Sequence, residues 1–309
     1  MIWILLAILA HVGNGFVFIV DKSLLRTKTA IGKPIAYALY SAAFAGLSIL
    51  LIPWAHISIT TFLLFWACMA GAVHIAALYM FFTAMRAGEP SRVVPITGSA
   101  VPLFTILFAL TFLGEQFTTK EGIGMALLLI GGMILSVIGT VKKSHKKQGA
   151  WILPIIAGVL FAAYFAITKY IYAHDADQFL GIFIITRVVE AAIALGGIAL
   201  MTKGFITLFA RKKKSATHKR SRIGATSIVF VCNKTLAAGS FLLQTYAISL
   251  GSVSVVNALQ GVQYVFVLIL AVLVSLFLPK IFSEEIGKGT LLQKIAGIVL
   301  VSFGVALLV

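Results

Sequence analysis

Long apolar segments recur along the whole sequence and limit what the chain can fold into. Each is about 20 residues long, which is the length that an α-helix needs to cross the hydrocarbon layer of a membrane. The segments lie at about 2–21, 34–54, 61–86, 90–112, 119–140, 150–172, 178–202, 223–249, 252–277 and 290–309. No soluble domain fits between them. The sequence therefore predicts an all-α integral membrane protein with ten transmembrane helices.

The charge of the chain agrees with a membrane protein. Of the 309 residues, 61% are hydrophobic and only 11% are charged, yet the formal net charge is +16. The basic residues lie almost wholly in the links between apolar segments, where Lys and Arg set membrane orientation. Because no aromatic–basic interleaving accompanies them, we expect the lipid bilayer as a partner and no nucleic acid.

The links differ in their basic residues. Those after helices one, five and seven are basic, whereas those after helices two, six and eight contain no Lys or Arg. This pattern predicts cytoplasmic odd-numbered links and both termini outside. The long link 203–222 is strongly basic, so we expect a cytoplasmic loop there. It either only fixes the topology or also contacts anionic lipid.

The segment from Gly88 to Glu115 contains Pro90, Pro95 and Pro102. Proline removes a backbone donor and clashes with the preceding turn, so helix four is expected to bend or open here. In lipid the freed carbonyl groups need another partner, and a protein-lined or wet cavity can supply one. The prolines therefore favour a cavity beside helix four.

Several segments of the second half repeat segments of the first. The matched positions are Gly88 with Gly251, Asp21-Lys22 with Thr168-Lys169, Tyr40 with Arg187, and the spacing Gly124 to Gly131 with Gly297 to Gly304. Two halves of five helices each must have opposite orientations, which predicts inverted repeats at 1–141 and 150–309. The alternative is that apolar helices share a few small residues by chance. The glycine pairs favour close helix packing, or a contact between subunits, in a monomer or homodimer.

Three charged residues lie at membrane depth. At about 1.5 Å per residue, Glu190 is roughly 18 Å from one surface and Lys234 roughly 17 Å from the other. Arg187 shares a helix face with Glu190. Since buried charges usually face a bundle interior or water, Glu190 is expected to pair with Arg187, with Lys234 or with both. The group is either a structural ion pair or a substrate or proton site. Two bases against one acid would favour a carboxylate-bearing substrate.

Uncharged polar residues on several helices extend this candidate site. On helix nine, three of them share one stripe at helical spacing. The candidate substrate-binding residues are Arg187, Glu190, Lys234, Asn257, Gln260, Tyr264, His74, Asn14, Thr97 and Gln244. Each can instead bond a neighbouring helix. Together they predict a central polar cavity between helices one, three, four, six, seven, eight and nine. Glu115 and Lys169 lie at helix ends, where Glu115 can cap a helix and Lys169 can reach the interface.

A family resemblance rests on Ala84-Met85-Arg86-Ala87-Gly88, Pro95, Gly114-Glu115 and the glycines from Gly122 to Gly131. This combination resembles the drug/metabolite transporter superfamily, specifically its EamA-type ten-helix members, over nearly the whole chain. The resemblance implies secondary transport of small metabolites across the cell membrane, often export of amino-acid-like compounds. It also implies both termini inside, which differs from the charge distribution.

Other functions have weaker support. We find no Gly-rich phosphate loop, so we expect coupling to an ion gradient or to exchange rather than to ATP. Neither His-Glu-x-x-His nor Gly-x-Ser-x-Gly is present, so we expect no enzyme, no metal site and no cofactor. Cys68 and Cys232 lie singly inside predicted spans, as buried thiols commonly do. A non-transporting membrane sensor or assembly protein stays open as the alternative.

Overall fold

The computed structural model describes residues 2–25, 33–87, 90–137, 152–174, 178–201, 217–263, 265–266 and 288–308. All regular secondary structure in these residues is helical. The elements are α1 (Ile2–Leu25), α2 (Pro34–Phe44, continued by 3₁₀ turns at Ala45–Trp54), α3 (Thr61–Ala87), α4 (Pro90–Phe108, continued by a π turn at Ala109–Leu113), α5 (Thr119–Val137), α6 (Ile152–His174), α7 (Phe179–Met201), α8 (Thr217–Leu250), α9 (Val253–Ala258) and α10 (Lys288–Leu308).

Seven of the described helices are long and apolar enough to cross a membrane. This confirms the predicted all-α membrane protein, whereas the count of ten spans stays a prediction. Several helix boundaries differ from those predicted: the predicted ninth helix is interrupted by a turn at Leu259, and the ends of α1 and α8 shift by several residues. Helix α1 continues to Leu25 instead of ending at 21, and α8 begins at Thr217, inside the segment expected to be a basic loop. Residues 202–216 of that loop lie outside the described part of the chain.

Helix α4 runs unbroken through Pro95 and Pro102, so it does not open at its prolines. Pro90 occupies the first position, where a helix leaves the backbone N–H unbonded in any case. The π turn that follows ends at Gly114, whose φ of 65° is in the left-handed region that favours glycine. Pro102 cannot donate to the carbonyl of Gly98, and Gly98 lies on a cavity wall described below.

Three long helix pairs organise the bundle: α1 packs along α8, α3 along α6, and α5 along α10. The α5–α10 contact depends on glycine. A Cβ built on Gly124 would lie 3.1 Å from the carbonyl oxygen of Gly304, and one built on Gly304 would lie 2.9 Å from that of Gly124. The two backbones are therefore in direct contact, which is the packing role expected of these glycines.

Large apolar side chains are exposed on the outside of the bundle, as contact with lipid requires. Examples are Leu9, Phe112 and Phe303. The two cysteines are on this outer surface as well, because the side chains of Cys68 in α3 and Cys232 in α8 are exposed. The expectation that they are buried thiols is wrong. Both residues lie within helices, but on the faces that point away from the core.

Candidate functional site

A cavity of about 610 Å³ lies between the helices. Its walls come from α1, α2, α3, α4, α6, α7, α8 and the helical residues 260–263 that follow α9. Every helix predicted to line it does so, together with α2, which the sequence analysis omitted. The volume lies in the range of small-molecule sites, which are mostly apolar with a few placed polar groups.

Most of the ten candidate residues lie on the cavity wall. Those that line it are Arg187, Glu190, Lys234, Gln260, His74, Asn14, Thr97 and Gln244. Asn257 is buried behind the wall and bonds to one of the lining residues. Tyr264 lies outside the described residues. The structure thus brings the described candidates into one region, although they come from six segments of the sequence.

The first polar group in the cavity is the His74 cluster, formed by His74, Tyr164, Arg187 and Glu190. Glu190 is fully buried, with Oε2 2.6 Å from Arg187 Nη1 and Oε1 2.7 Å from His74 Nδ1. Arg187 Nη2 donates to the Tyr164 hydroxyl at 2.6 Å. The His74 ring stacks on Tyr164 with 4.4 Å between ring centroids. The cluster therefore joins α3, α6 and α7 through one buried carboxylate.

Local packing brings Glu190 within reach of α3. A Cβ built on Gly71, one turn before His74, would lie 3.1 Å from the Glu190 Cα. The missing side chain allows α7 to approach α3 closely enough for the His74–Glu190 contact. Glu190 pairs with Arg187 and not with Lys234, which resolves the alternatives left by the sequence.

The second polar group is the Asp21 cluster, formed by Asp21, Tyr37, Asn233 and Lys234. Asp21 Oδ1 lies 3.0 Å from Lys234 Nζ and accepts a hydrogen bond from Asn233 Nδ2 at 2.6 Å. The Tyr37 hydroxyl donates to the same oxygen. Lys234 Nζ also lies 4.6 Å from the centre of the Tyr37 ring, close enough for a cation–π contact. The cluster joins α1, α2 and α8.

Asp21 corrects the charge count of the candidate site. Two bases against one acid were expected there, which favoured a carboxylate-bearing substrate. Among the described residues that line the cavity, two acids, Asp21 and Glu190, balance the two bases Arg187 and Lys234. Asp21 was missed because helix one was expected to end there, which would put its carboxylate at the membrane surface. Since α1 continues to Leu25, Asp21 lies inside the bundle.

A row of side-chain hydrogen bonds crosses four segments near the cavity. Asn14 Nδ2 donates to Gln244 Oε1 at 3.3 Å, and Gln244 Nε2 donates to Asn257 Oδ1 at 3.2 Å. Asn257 Nδ2 then donates to the hydroxyl of Thr105 at 3.1 Å. Thr97, by contrast, donates to the Pro154 carbonyl, a contact between α4 and α6. Three of the predicted polar residues thus act together and order one side of the cavity.

Glu115 and Lys169 both cap helix ends. Glu115 accepts hydrogen bonds from the Ser252 hydroxyl at 2.7 Å and from the Val253 amide at 3.0 Å, where α9 begins. Lys169 Nζ donates to the carbonyls of Ile248 and Gly251, where α8 ends. Capping was expected of Glu115. Lys169 does not extend freely to the interface, because its ammonium group satisfies carbonyls that a helix end leaves unbonded.

Several polar atoms on the cavity wall have no hydrogen-bond partner among the described residues. They include Arg187 Nε, Ser41 Oγ, Ser48 Oγ, His11 Nδ1 and Gln263 Nε2. His11 Nε2 donates to the Val256 carbonyl at 2.8 Å, which leaves Nδ1 as an acceptor. Buried polar atoms are rarely left unbonded in folded proteins. These atoms can therefore bond water or a ligand inside the cavity.

Comparisons with known proteins give a family and a fold. The family model described as "EamA-like transporter family" matches residues 1–137. No curated protein matches the chain. Among solved structures, a chain described only as "Crystal structure of protein" has a TM-score of 0.64 and 12% sequence identity, covering 99% of this chain and 95% of that chain. At such low identity this likeness shows the fold alone.

Proposed function

Since the chain belongs through its residues 1–137 to the EamA-like transporter family, within the drug/metabolite transporter superfamily, we propose that it is a secondary active transporter of small metabolites. Its substrates are amino-acid-like or other small organic compounds, and the direction is export across the cell membrane. Substrate binds in the central cavity, which opens alternately to the two sides.

One observation carries this proposal: a cavity of about 610 Å³ inside a membrane-spanning bundle contains four charged side chains, Asp21, Arg187, Glu190 and Lys234. Charge at membrane depth is costly, and it commonly marks substrate or ion pathways in transport proteins. A bundle that needed only stability would be served as well by apolar side chains, because replacing a buried ion pair with packed apolar groups is often neutral or stabilising.

The proposed architecture is two inverted repeats, 1–141 and 150–309. In this scheme helices one to five correspond to helices six to ten. The contact of α1 with α8 then corresponds to that of α6 with α3, and α5 corresponds to its own partner α10. The two polar clusters follow the same rule, because one joins α1, α2 and α8 and the other joins α6, α7 and α3. These paired contacts support the repeat, which provides the two alternative arrangements that transport needs.

Both clusters connect the two proposed halves. In the Asp21 cluster, Asp21 and Tyr37 belong to the first half and Lys234 to the second. In the His74 cluster, His74 belongs to the first half and Glu190 to the second. Rocking of one half against the other changes these contacts, so each cluster stabilises particular arrangements of the halves. Coupling then comes from an ion gradient or from exchange.

The basic segment 203–222, within which α8 begins at Thr217, lies on the cytoplasmic side and can contact anionic lipid, and its charge places both termini outside. The protein acts as a monomer or as a homodimer. The orientation can be tested with a reporter that is active only in the cytoplasm, fused after Val309. Activity of this fusion would show a cytoplasmic C-terminus and contradict the orientation.

The direct test is uptake by proteoliposomes over a panel of amino acids and other small metabolites, with and without an imposed ion gradient. Empty liposomes and a Glu190→Gln variant are the controls. We expect at least one compound to accumulate with wild-type protein. Folded protein that moves none of the panel would favour the sensor or assembly role, and chemical conversion without translocation would favour an enzyme. Normal transport and pH dependence in both Glu190→Gln and Lys234→Ala would contradict the site.

A further inference from the structure

The cavity has a mouth in the side of the bundle, between α2 and α8. Leu47 and Leu50 in the 3₁₀ part of α2 line the cavity and are 50% and 67% exposed. Ala238 and Gly239 on α8 also line it and are exposed. A Cβ built on Gly239 would meet no atom of the described residues within 4 Å. Within the part of the chain that the structure describes, the cavity is therefore open between these two helices.

The mouth lies at the depth of the lipid chains. Near the start of their apolar spans, Pro34–Trp54 and Ser227–Leu250, α2 and α8 are in contact, with 5.5 Å between the ring centroids of Tyr37 and Phe230, so both spans start from the same side. At about 1.5 Å per residue, Leu47 is roughly 20 Å beyond Pro34 and Gly239 roughly 18 Å beyond Ser227. The hydrocarbon layer is about 30 Å thick, so the mouth faces lipid rather than water.

The interior selects against a net charge on the ligand. Of the four charged residues on the wall, Asp21 is already paired with Lys234 and Glu190 with Arg187. A ligand with a net charge would enter this low-dielectric space without a free counter-charge, which is costly. An uncharged polar group, in contrast, finds unpartnered atoms. Arg187 is only 3% exposed, and its Nε has no hydrogen-bond partner among the described residues. The hydroxyls of Ser41 and Ser48 likewise have no partner there.

The rest of the wall suits an apolar body. Aromatic side chains from several helices line the cavity, namely Phe44, Phe81, Phe161, Phe183 and Phe241. Aromatic rings provide large apolar contact areas and favour stacked or edge-to-face partners. The chemistry that fits is therefore an apolar, ring-sized body that carries a small hydrogen-bonding head.

We propose that the protein takes its substrate from the bilayer through the mouth between α2 and α8, and that this substrate is an uncharged amphipathic small molecule. The apolar body lies among the phenylalanine side chains, and the head bonds to one of the unpartnered polar groups, Arg187 Nε or the hydroxyl of Ser41 or Ser48. This inference rests on the proposed transport function and narrows it to the uncharged, amphipathic compounds within the proposed range.

The test closes the mouth with one side chain. Gly239→Trp places an indole in open space at the mouth, so the fold should tolerate it. Leu236→Trp is the matched control, because Leu236 is on the same helix, is 44% exposed and does not line the cavity. The probe is the neutral fluorophore aminoanthracene, whose emission rises in an apolar site. Anthracenecarboxylate and anthracenylmethylammonium are its charged relatives. All are titrated onto protein in phospholipid nanodiscs, with empty nanodiscs subtracted.

We expect wild-type protein and Leu236→Trp to bind aminoanthracene saturably and at least about tenfold more tightly than either charged relative. Gly239→Trp should weaken this binding by about tenfold or more while its melting temperature stays that of the wild type. Wild-type affinity in Gly239→Trp, or equal affinity for a charged relative, would overturn the proposal. A third outcome would also overturn it: wild-type protein does not bind the probe, and a phospholipid co-purifies with wild type but not with Gly239→Trp. An acyl chain would then occupy the site.

The result is independent of the transport assay. If a compound is transported and Gly239→Trp leaves both its uptake and probe binding unchanged, entry through the mouth is wrong and transport stands. If the probe binds through the mouth while no compound of the panel is moved, the binding site stands and the transport function fails.

Discussion

Asp21 and Lys234 form an ion pair across the contact between α1 and α8, with 3.0 Å between Oδ1 and Nζ. The residues are 213 positions apart, and both are almost fully buried. The same carboxylate oxygen also accepts from Asn233, so its charge is distributed over several donors. A pair with this degree of burial is held in place by its partners, and loss of one partner leaves the other charge exposed to a low dielectric.

Single substitutions in this pair should be more harmful than the double substitution. Asp21→Asn leaves the Lys234 ammonium without a counter-charge, and Lys234→Met leaves the Asp21 carboxylate without one. Each should lower the stability by about 3–5 kcal/mol. The double variant should lose less than the sum, because it leaves no unpaired charge. Thermal unfolding of the four proteins in one detergent gives the coupling, and strictly additive losses would show that the pair does not interact.

Glu190 should be needed for both folding and transport. Glu190→Gln removes the counter-charge of Arg187, which is only 3% exposed, so we expect a lower melting temperature and at least about a tenfold loss of uptake. Tyr79→Phe is a suitable control, because Tyr79 lies on α3 with an exposed side chain that does not line the cavity. Wild-type uptake in Glu190→Gln would exclude a functional role for the carboxylate.

His74 should affect transport in a different way. Its ring contacts the Glu190 carboxylate and stacks on Tyr164. Gln can still donate to Glu190, so His74→Gln should retain most of the stability. The variant should, however, lose uptake, because it no longer stacks on Tyr164 at the cavity wall. The measurement is the uptake rate at matched protein amounts beside the melting temperature, and an unchanged uptake rate would assign His74 a packing role.

Much of the site was predictable because of one physical constraint. A charged residue inside a lipid-spanning helix usually faces the bundle interior, so the all-helical membrane fold and the inward position of most candidates followed from hydropathy alone. That constraint indicates which residues face inwards but not which residues meet. The pairing of Lys234 with Asp21 depends on helix packing between distant segments, and no local pattern encodes it.

Two omissions have identifiable causes. Asp21 was not singled out because the predicted helix ends at this residue, whereas α1 continues to Leu25 and the Asp21 carboxylate accepts hydrogen bonds inside the bundle. Ser41 and Ser48 gave no signal, because serine is common in membrane helices and often bonds to its own backbone. Their place on the cavity wall depends on how α2 lies against α7, which only the three-dimensional structure gives.

Gly131 should be intolerant of any side chain. A Cβ there would lie 2.9 Å from Val301 Cγ2 and 3.0 Å from the Gly297 carbonyl oxygen. Gly131→Ala should therefore separate α5 from α10 and cost about 1–3 kcal/mol, as overpacking commonly does. Gly122 is the matched control on the same helix, because a Cβ built there meets no atom of the described residues within 4 Å. Equal melting temperatures for Gly131→Ala and Gly122→Ala would show that the two helices are not in tight contact.

Glu115 should matter for stability and not for substrate. It does not line the cavity, and its carboxylate accepts from the Ser252 hydroxyl and the Val253 amide at the start of α9. Glu115→Ala should cost about 1–3 kcal/mol, because hydrogen bonds to a charged group are stronger than neutral ones. Glu115→Gln keeps one acceptor oxygen and should cost less. Ser252→Ala in the Glu115→Ala background should lose only its own contact with the Val255 amide.

The affinity for a transported compound should be the same in all of these variants, since a capping residue acts on the folded population. A changed affinity at full folding would instead place Glu115 on the substrate pathway.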